Sequence, residues 1–172
     1  SLSTAAIAAL DSVDVAALST AQVAALGSDQ LLALETQDLA AMSTAGITAI
    51  SAAHVEAFSS RQLGALGSEQ LQALTSTQLR ALASEQLAAL GTDDMVALTS
   101  NQVGALLTDQ LASLSTRQIA ALQSEDFAAL GTAQLHNLTT AQIVALDSAD
   151  LVALNSRQVA ALSSDQLAAL ET

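Results

Sequence analysis

The chain has 172 residues, of which 51% are hydrophobic, 1% aromatic and 12% charged, with no Pro, Cys, Trp or Lys. That length suits one domain-sized array, and the lack of Cys excludes disulfides, thiolate metal sites and cysteine nucleophiles. A formal charge of −13 with only four Arg residues excludes the clustered cations that nucleic-acid phosphates require.

The mean hydropathy of +0.45 is high. Even so, Ser, Thr, Gln or Asp interrupts every apolar run before the ~18 residues of a spanning helix. No basic segment followed by an apolar core marks a signal peptide. Neither membrane insertion nor a nucleic-acid partner is expected.

From Ser3 to Leu170 the chain reads as 21 consecutive octapeptides without insertion or deletion. Typical octads are Ser19–Leu26 (STAQVAAL) and Gly67–Leu74 (GSEQLQAL). Slot 2 is Ser or Thr in 20 of the 21, with Ala52 the exception, and slot 4 is Gln in 13 and Asp in five. Slot 5 is always aliphatic, Met or Phe, and slot 8 is Leu except at Met42, Ile50 and Phe58. Slot 7 is Ala except at Ser113 and Asn137, whereas slots 3 and 6 vary freely.

A continuous helix cannot use this pattern. Eight residues at about 100° each make the apolar pair drift about 80° per octad, so no partner surface could follow it. Strands are disfavoured because slots 5, 7 and 8 do not alternate and Ala, Gln and Asp form strands poorly. One short helix per octad satisfies every slot. The slot-2 hydroxyl is expected to be the N-cap, and Gln or Asp at slot 4 reaches back to free donors of the first turn. Slot 1, which includes Gly27, Gly67, Gly91, Gly131 and Asn155, is expected to end the previous helix in the left-handed conformation. Twelve of the 17 acids fall in slots 3 and 4, where a helix N-terminus favours negative charge.

Helices this short do not survive alone. Slots 5 and 8 share one helical face, so stability must come from stacking that face inward. The predicted fold is all-α: a solenoid of about 21 very short helices, one per octad, forming a single array over residues 1–172. Two or three helices per coil are both compatible with the pattern. At about 8–10 Å between helices, either choice gives a rod of roughly 55–105 Å. Ser1-Leu2 match slots 7 and 8 of a preceding octad, and Glu171-Thr172 match slots 1 and 2 of a following one. The chain is therefore expected to be a slice of a longer array, with neighbouring repeats as partners and end-to-end self-association.

Few residues invite chemistry. His54 replaces Gln at slot 4 and His136 sits in slot 6, without an HExxH motif or a second His nearby. Carboxylate pairs occur at Asp11/Asp14, Glu35/Asp38, Asp93/Asp94, Glu125/Asp126 and Asp147/Asp150, but no calcium-loop pattern surrounds them. Ser and Thr are abundant, yet no GxSxG nucleophile elbow is present. No catalytic, cofactor-binding or metal-ligating residue is assigned, no cofactor is expected, and the chain is not expected to be an enzyme. The slot-4 column Gln62, Gln70, Gln78 and Gln86 suggests side-chain ladders between stacked coils, or an amide surface for a partner.

Leu18–Leu26 looks like the first short helix of the repeats in TAL effectors, but that similarity stops after nine residues, before any base-reading loop. Across essentially its whole length the chain resembles the L-(S/T)-x-x-Q-(L/V/I)-x-A-L octapeptide arrays of very large proteobacterial secreted or surface proteins, often described as adhesin-like. The resemblance implies a spacer or adhesive stalk outside the cell and carries over no catalytic residue. The alternative function is a protein- or peptide-binding solenoid that uses slots 3 and 6.

Overall fold

The computed structural model describes residues 3–171. Among them each octad forms one α-helix, and no strand is present. The helices are α1 (Thr4–Ile7), α2 (Ser12–Ala16), α3 (Thr20–Ala24), α4 (Ser28–Leu32), α5 (Thr36–Ala40), α6 (Thr44–Ala49), α7 (Ala52–Val55), α8 (Ser60–Leu63), α9 (Ser68–Ala73), α10 (Ser76–Ala81) and α11 (Ser84–Ala88). They continue as α12 (Thr92–Ala97), α13 (Ser100–Ala105), α14 (Thr108–Ser113), α15 (Thr116–Ala120), α16 (Ser124–Ala129), α17 (Thr132–Asn137), α18 (Thr140–Val144), α19 (Ser148–Ala153), α20 (Ser156–Ala160) and α21 (Ser164–Leu170). Ser1, Leu2 and Thr172, assigned above to slots of neighbouring octads, lie outside the described residues.

The chain divides into two compact units, one through Leu90 and one from Gly91. Each obeys a single packing rule, in which a helix stacks on the one three places further on. In the first unit α1 packs on α4, α2 on α5, α3 on α6, and so on to α8 on α11. In the second, α12 packs on α15, α13 on α16, and so on to α18 on α21. Three octads therefore complete one coil, which makes each unit an all-helical solenoid.

The core is built from the two slots the pattern singled out. Slot-5 side chains from Ile7 to Ile143 are 0–1% exposed, and slot 8 supplies Leu34, Leu66, Leu74, Leu106 and Leu114 at 3–4%. Stacking supplies what these single-turn helices lack in hydrogen-bond cooperativity. Slot 3 is exposed in every octad and slot 6 in nearly all, which explains why those two positions are free to vary.

The helix boundaries differ from the expectation by one position. Slot 1, not slot 2, is the N-cap. Ser59, Thr75, Asp147 and Asn155 at slot 1 have extended backbones, and their side chains accept the slot-4 backbone N–H. Among the described residues none has a positive φ, glycines included. Gly27, expected to be left-handed, has φ −87° and ψ 170° and is simply an N-cap. The reason is that the connection uses extended residues: Leu74 leaves α9 at φ −62°, ψ 127°, and Thr75 enters α10 at φ −72°, ψ 157°. No left-handed residue is needed, and Gly is tolerated because at an N-cap it costs only a few tenths of a kcal/mol against Ser.

Candidate functional site

The side chain with the most demanding environment is the slot-4 Gln. Its oxygen accepts the slot-1 N–H of its own helix, at 2.7 Å from Thr75 to Gln78 and 2.6 Å from Gly131 to Gln134. That completes the capping box even where slot 1 is Gly and has no side chain to offer. The nitrogen points into the neighbouring coil. Gln62 donates to the carbonyls of Leu31 and Leu34 at 2.9 and 3.1 Å, and Gln78 to those of Ile47 and Ile50, both at 2.8 Å. In the second unit Gln142 donates to Leu111 and Leu114, and Gln158 to Phe127 and Leu130.

These acceptors lie 31 and 28 residues back, at slots 5 and 8 of the octad four places earlier. The slot-8 carbonyl is one that the end of a helix leaves without an intrahelical partner, and the slot-5 carbonyl adds the amide to the slot-8 N–H it already accepts, as Ile47 does from Ile50 at 3.3 Å. One Gln therefore serves the open start of one helix and the open end of another. Glu lacks the donor for this task and Asn lacks the reach. Gln78, Gln142 and Gln158 are 1–2% exposed, so leaving these groups unpaired would carry a desolvation penalty.

Asp at slot 4 resolves the same position differently. Having only acceptors and a shorter stem, it takes at Asp38, Asp126 and Asp150 the hydroxyl of slot 2 in the octad three places earlier. Ser12 donates to Asp38 at 2.7 Å, and Ser124 to Asp150 at 3.0 Å. Asp126 takes the N–H of Gln123 at 2.8 Å. Burial pushes the Asp126 carboxyl above the ordinary range, opposed by the Gln123 N–H and the Ser100 hydroxyl and reinforced by nearby Glu125 and Asp150.

The other candidates fall into place around this clasp. His54 is half-buried at slot 4 of α7, while His136 is exposed on α17, its Nδ1 3.0 Å from the Ala161 carbonyl oxygen. The carboxylates of Asp14, Asp94 and Asp150 accept the slot-1 N–H of their own helices. Among the described residues no three His, Cys, Asp or Glu side chains are grouped to hold a metal ion. No helix among them is long and apolar enough to cross a membrane. The Gln column makes neither expected arrangement. Its amides bond to backbone, not to one another, and the burial of Gln62, Gln70, Gln78 and Gln86 leaves no amide surface for a partner.

An octad that builds one helix and a Gln that ties it to the preceding coil define an all-helical repeat protein. The chain belongs to the ALTTAQ repeat family, whose model matches residues 1–28, 7–35, 31–68, 64–100, 119–150 and 143–172. The six letters of that name span slots 7, 8 and 1 to 4, and Ala17–Gln22 (ALSTAQ) differs from them only at Ser19. They run from the end of one helix through the N-cap to the clasp residue. No curated protein matches the chain.

Proposed function

We propose that the chain is a structural spacer or scaffold, a stretch of stalk in a large bacterial surface or secreted protein, without catalytic activity of its own. The observation carrying this reading is that interior polar chemistry is spent on holding coils together. The slot-4 amides and carboxylates close helix ends, and among the described residues no buried side-chain nitrogen or oxygen lacks a partner. The extracellular setting rests on the resemblance of the octapeptide to secreted and surface arrays.

Single-molecule pulling tests it. A stalk unwinds coil by coil, and three octads release about 80 Å of contour at roughly 3.3–3.6 Å per residue. One all-or-none rupture of each unit would oppose the reading.

A second reading, a protein- or peptide-binding solenoid, draws support from one face of the second unit. Val96 and Val144 are 47% and 55% exposed, on α12 and α18, the helices that flank α15. Saturable binding of a protein or peptide, lost on Val96→Asp and Val144→Asp, would favour this reading over the spacer.

A further inference from the structure

Going beyond the spacer role, we infer that the outer face of α19, α20 and α21 is a seat for one more coil of the same octad. In a solution of this chain alone, that coil is the first coil of a second copy, bound head to tail.

The two end faces are different and complementary. Slot-5 side chains look toward higher residue numbers: those from Ile7 to Ile143 are at most 1% exposed, whereas Val159 and Leu167 are 42% and 43% exposed. Slot-8 side chains look the other way. Leu10 and Leu18 are half-buried at the low-numbered end, while Leu66 and Leu74 within the first unit are 3% exposed. Gln22 is exposed as well, although Gln62, Gln70 and Gln78 bury their amides against carbonyls. One face thus offers apolar slot-5 side chains and carbonyls, and the other offers apolar slot-8 side chains and an amide.

The internal rules fix the register. With α1, α2 and α3 of the second copy over α19, α20 and α21, its Gln22 stands four helices beyond α20. The carbonyls of Val159 and Leu162 are then its acceptors, in the geometry by which Phe127 and Leu130 receive Gln158. Its Asp14 stands three helices beyond α20, facing the Ser156 hydroxyl as Asp38 faces Ser12. The surface continues the inter-coil interface already seen within each unit. Because the two faces are not equivalent, the contact is heterologous and can propagate. Each copy carries −13, so repulsion opposes association and added salt strengthens it, the reverse of an interface held by ion pairs.

Sedimentation velocity of the 172-residue chain, from micromolar to millimolar and at low and high salt, reads this directly. Growing assemblies favoured by salt are expected. Val159→Glu with Leu167→Glu should leave a monomer, and Leu18→Glu with Gln22→Glu should do the same from the opposite face. Gln22→Glu alone keeps its cap oxygen and an exposed site, so it preserves the fold while weakening association roughly five- to tenfold. The decisive arm mixes the two double variants. Each retains one intact face, so head-to-tail binding gives a one-to-one pair that grows no further. A wild-type chain that stays monomeric at high salt, association surviving Val159→Glu/Leu167→Glu, or folded double variants that fail to pair would each overturn the inference.

Discussion

Gln78 donates its side-chain amide to the carbonyl of Ile50, 28 positions earlier, at 2.8 Å. The same side chain bonds the Ile47 carbonyl at 2.8 Å and accepts the Thr75 N–H at 2.7 Å. It links the start of α10 to the end of α6 from a position that is 1% exposed. Gln78→Ala strands the Thr75 N–H and the Ile50 carbonyl and leaves the Ile47 carbonyl with the Ile50 N–H alone, so a loss of about 2–4 kcal/mol is expected. Urea denaturation measures it. Exposed Thr77, one residue away, supplies the contrast: Thr77→Ala should stay within about 0.5 kcal/mol.

Gln78→Glu separates the two halves of the clasp. The carboxylate keeps the acceptor for Thr75 but places negative charge against the carbonyls of Ile47 and Ile50. At neutral pH the loss should equal or exceed that of Gln78→Ala, since an unpaired buried charge costs more than a missing group. Protonation removes the charge and restores one donor, so the deficit should shrink as the pH falls. A deficit that stays constant from neutral to mildly acidic pH would contradict the donor role assigned to the nitrogen.

Asp126 gives a pH dependence of known sign. Its carboxyl is raised from the usual 3.8 chiefly by burial, so the folded state binds its proton more readily than the unfolded chain does. Between the ordinary value and the raised one, stability gained from this group increases as the pH falls. Above the raised value the full penalty of the buried charge applies. Asp126→Asn removes the charge and can still accept the Gln123 N–H. Its advantage over wild type should therefore be largest at neutral pH and close toward acid. Parallel stability curves for the two proteins would reject this account.

The parts legible in the sequence are those that repeat within eight residues. Leu71 and Leu74 announce the buried face, Glu69 the exposed slot, and the fixed Gln70 a position under constraint. The coil size was illegible for a physical reason. Gln62, Gln70 and Gln78 are identical whatever the number of helices per turn, so a 24-residue period leaves no mark on them. The pairing of Ser12 with Asp38 was hidden because slot 2 is nearly always a hydroxyl, with or without a carboxylate to receive. The cap lies one position earlier than expected because slot 2 is the more regular hydroxyl, while slot 1 carries Ser or Thr in only 10 of the 21 octads, as at Ser59 beside Ser60. Only the backbone distinguishes the extended residue from the first helical one.

Gly104 sits at a close approach between α13 and α16 in the second unit. A Cβ there would lie 2.8 Å from the Ala129 carbonyl oxygen, a backbone atom that cannot swing aside. Since α13 packs on α16, Gly104→Ala should force the two helices apart at a cost of about 1–3 kcal/mol. Gly64, the C-cap of α8, is the control. Its added Cβ would meet the Ser60 carbonyl oxygen at an ordinary 3.5 Å, so Gly64→Ala should be neutral or stabilising. Thermal unfolding of the two variants gives the comparison, and equal losses would mean that local backbone geometry, not the approach of coils, governs these sites.

His54 occupies the slot that Gln fills in most octads, and its half-buried ring is the conspicuous departure from the pattern in the first unit. The rule of 28 and 31 residues names the carbonyls a Gln there would meet: Leu26 and Val23, at the end of α3. Its oxygen would receive the Ser51 N–H and complete the capping box that α7 lacks. Ser51 already accepts the slot-4 N–H at 3.3 Å, so the helix start is in place for the substitution. His54→Gln should raise stability by about 1–2 kcal/mol, the worth of one to two net hydrogen bonds. Native-state hydrogen exchange would locate the gain, with added protection on α7 and on the α3–α4 connection. Stabilisation without that pattern, or none at all, would show that the clasp depends on more than the presence of Gln at slot 4.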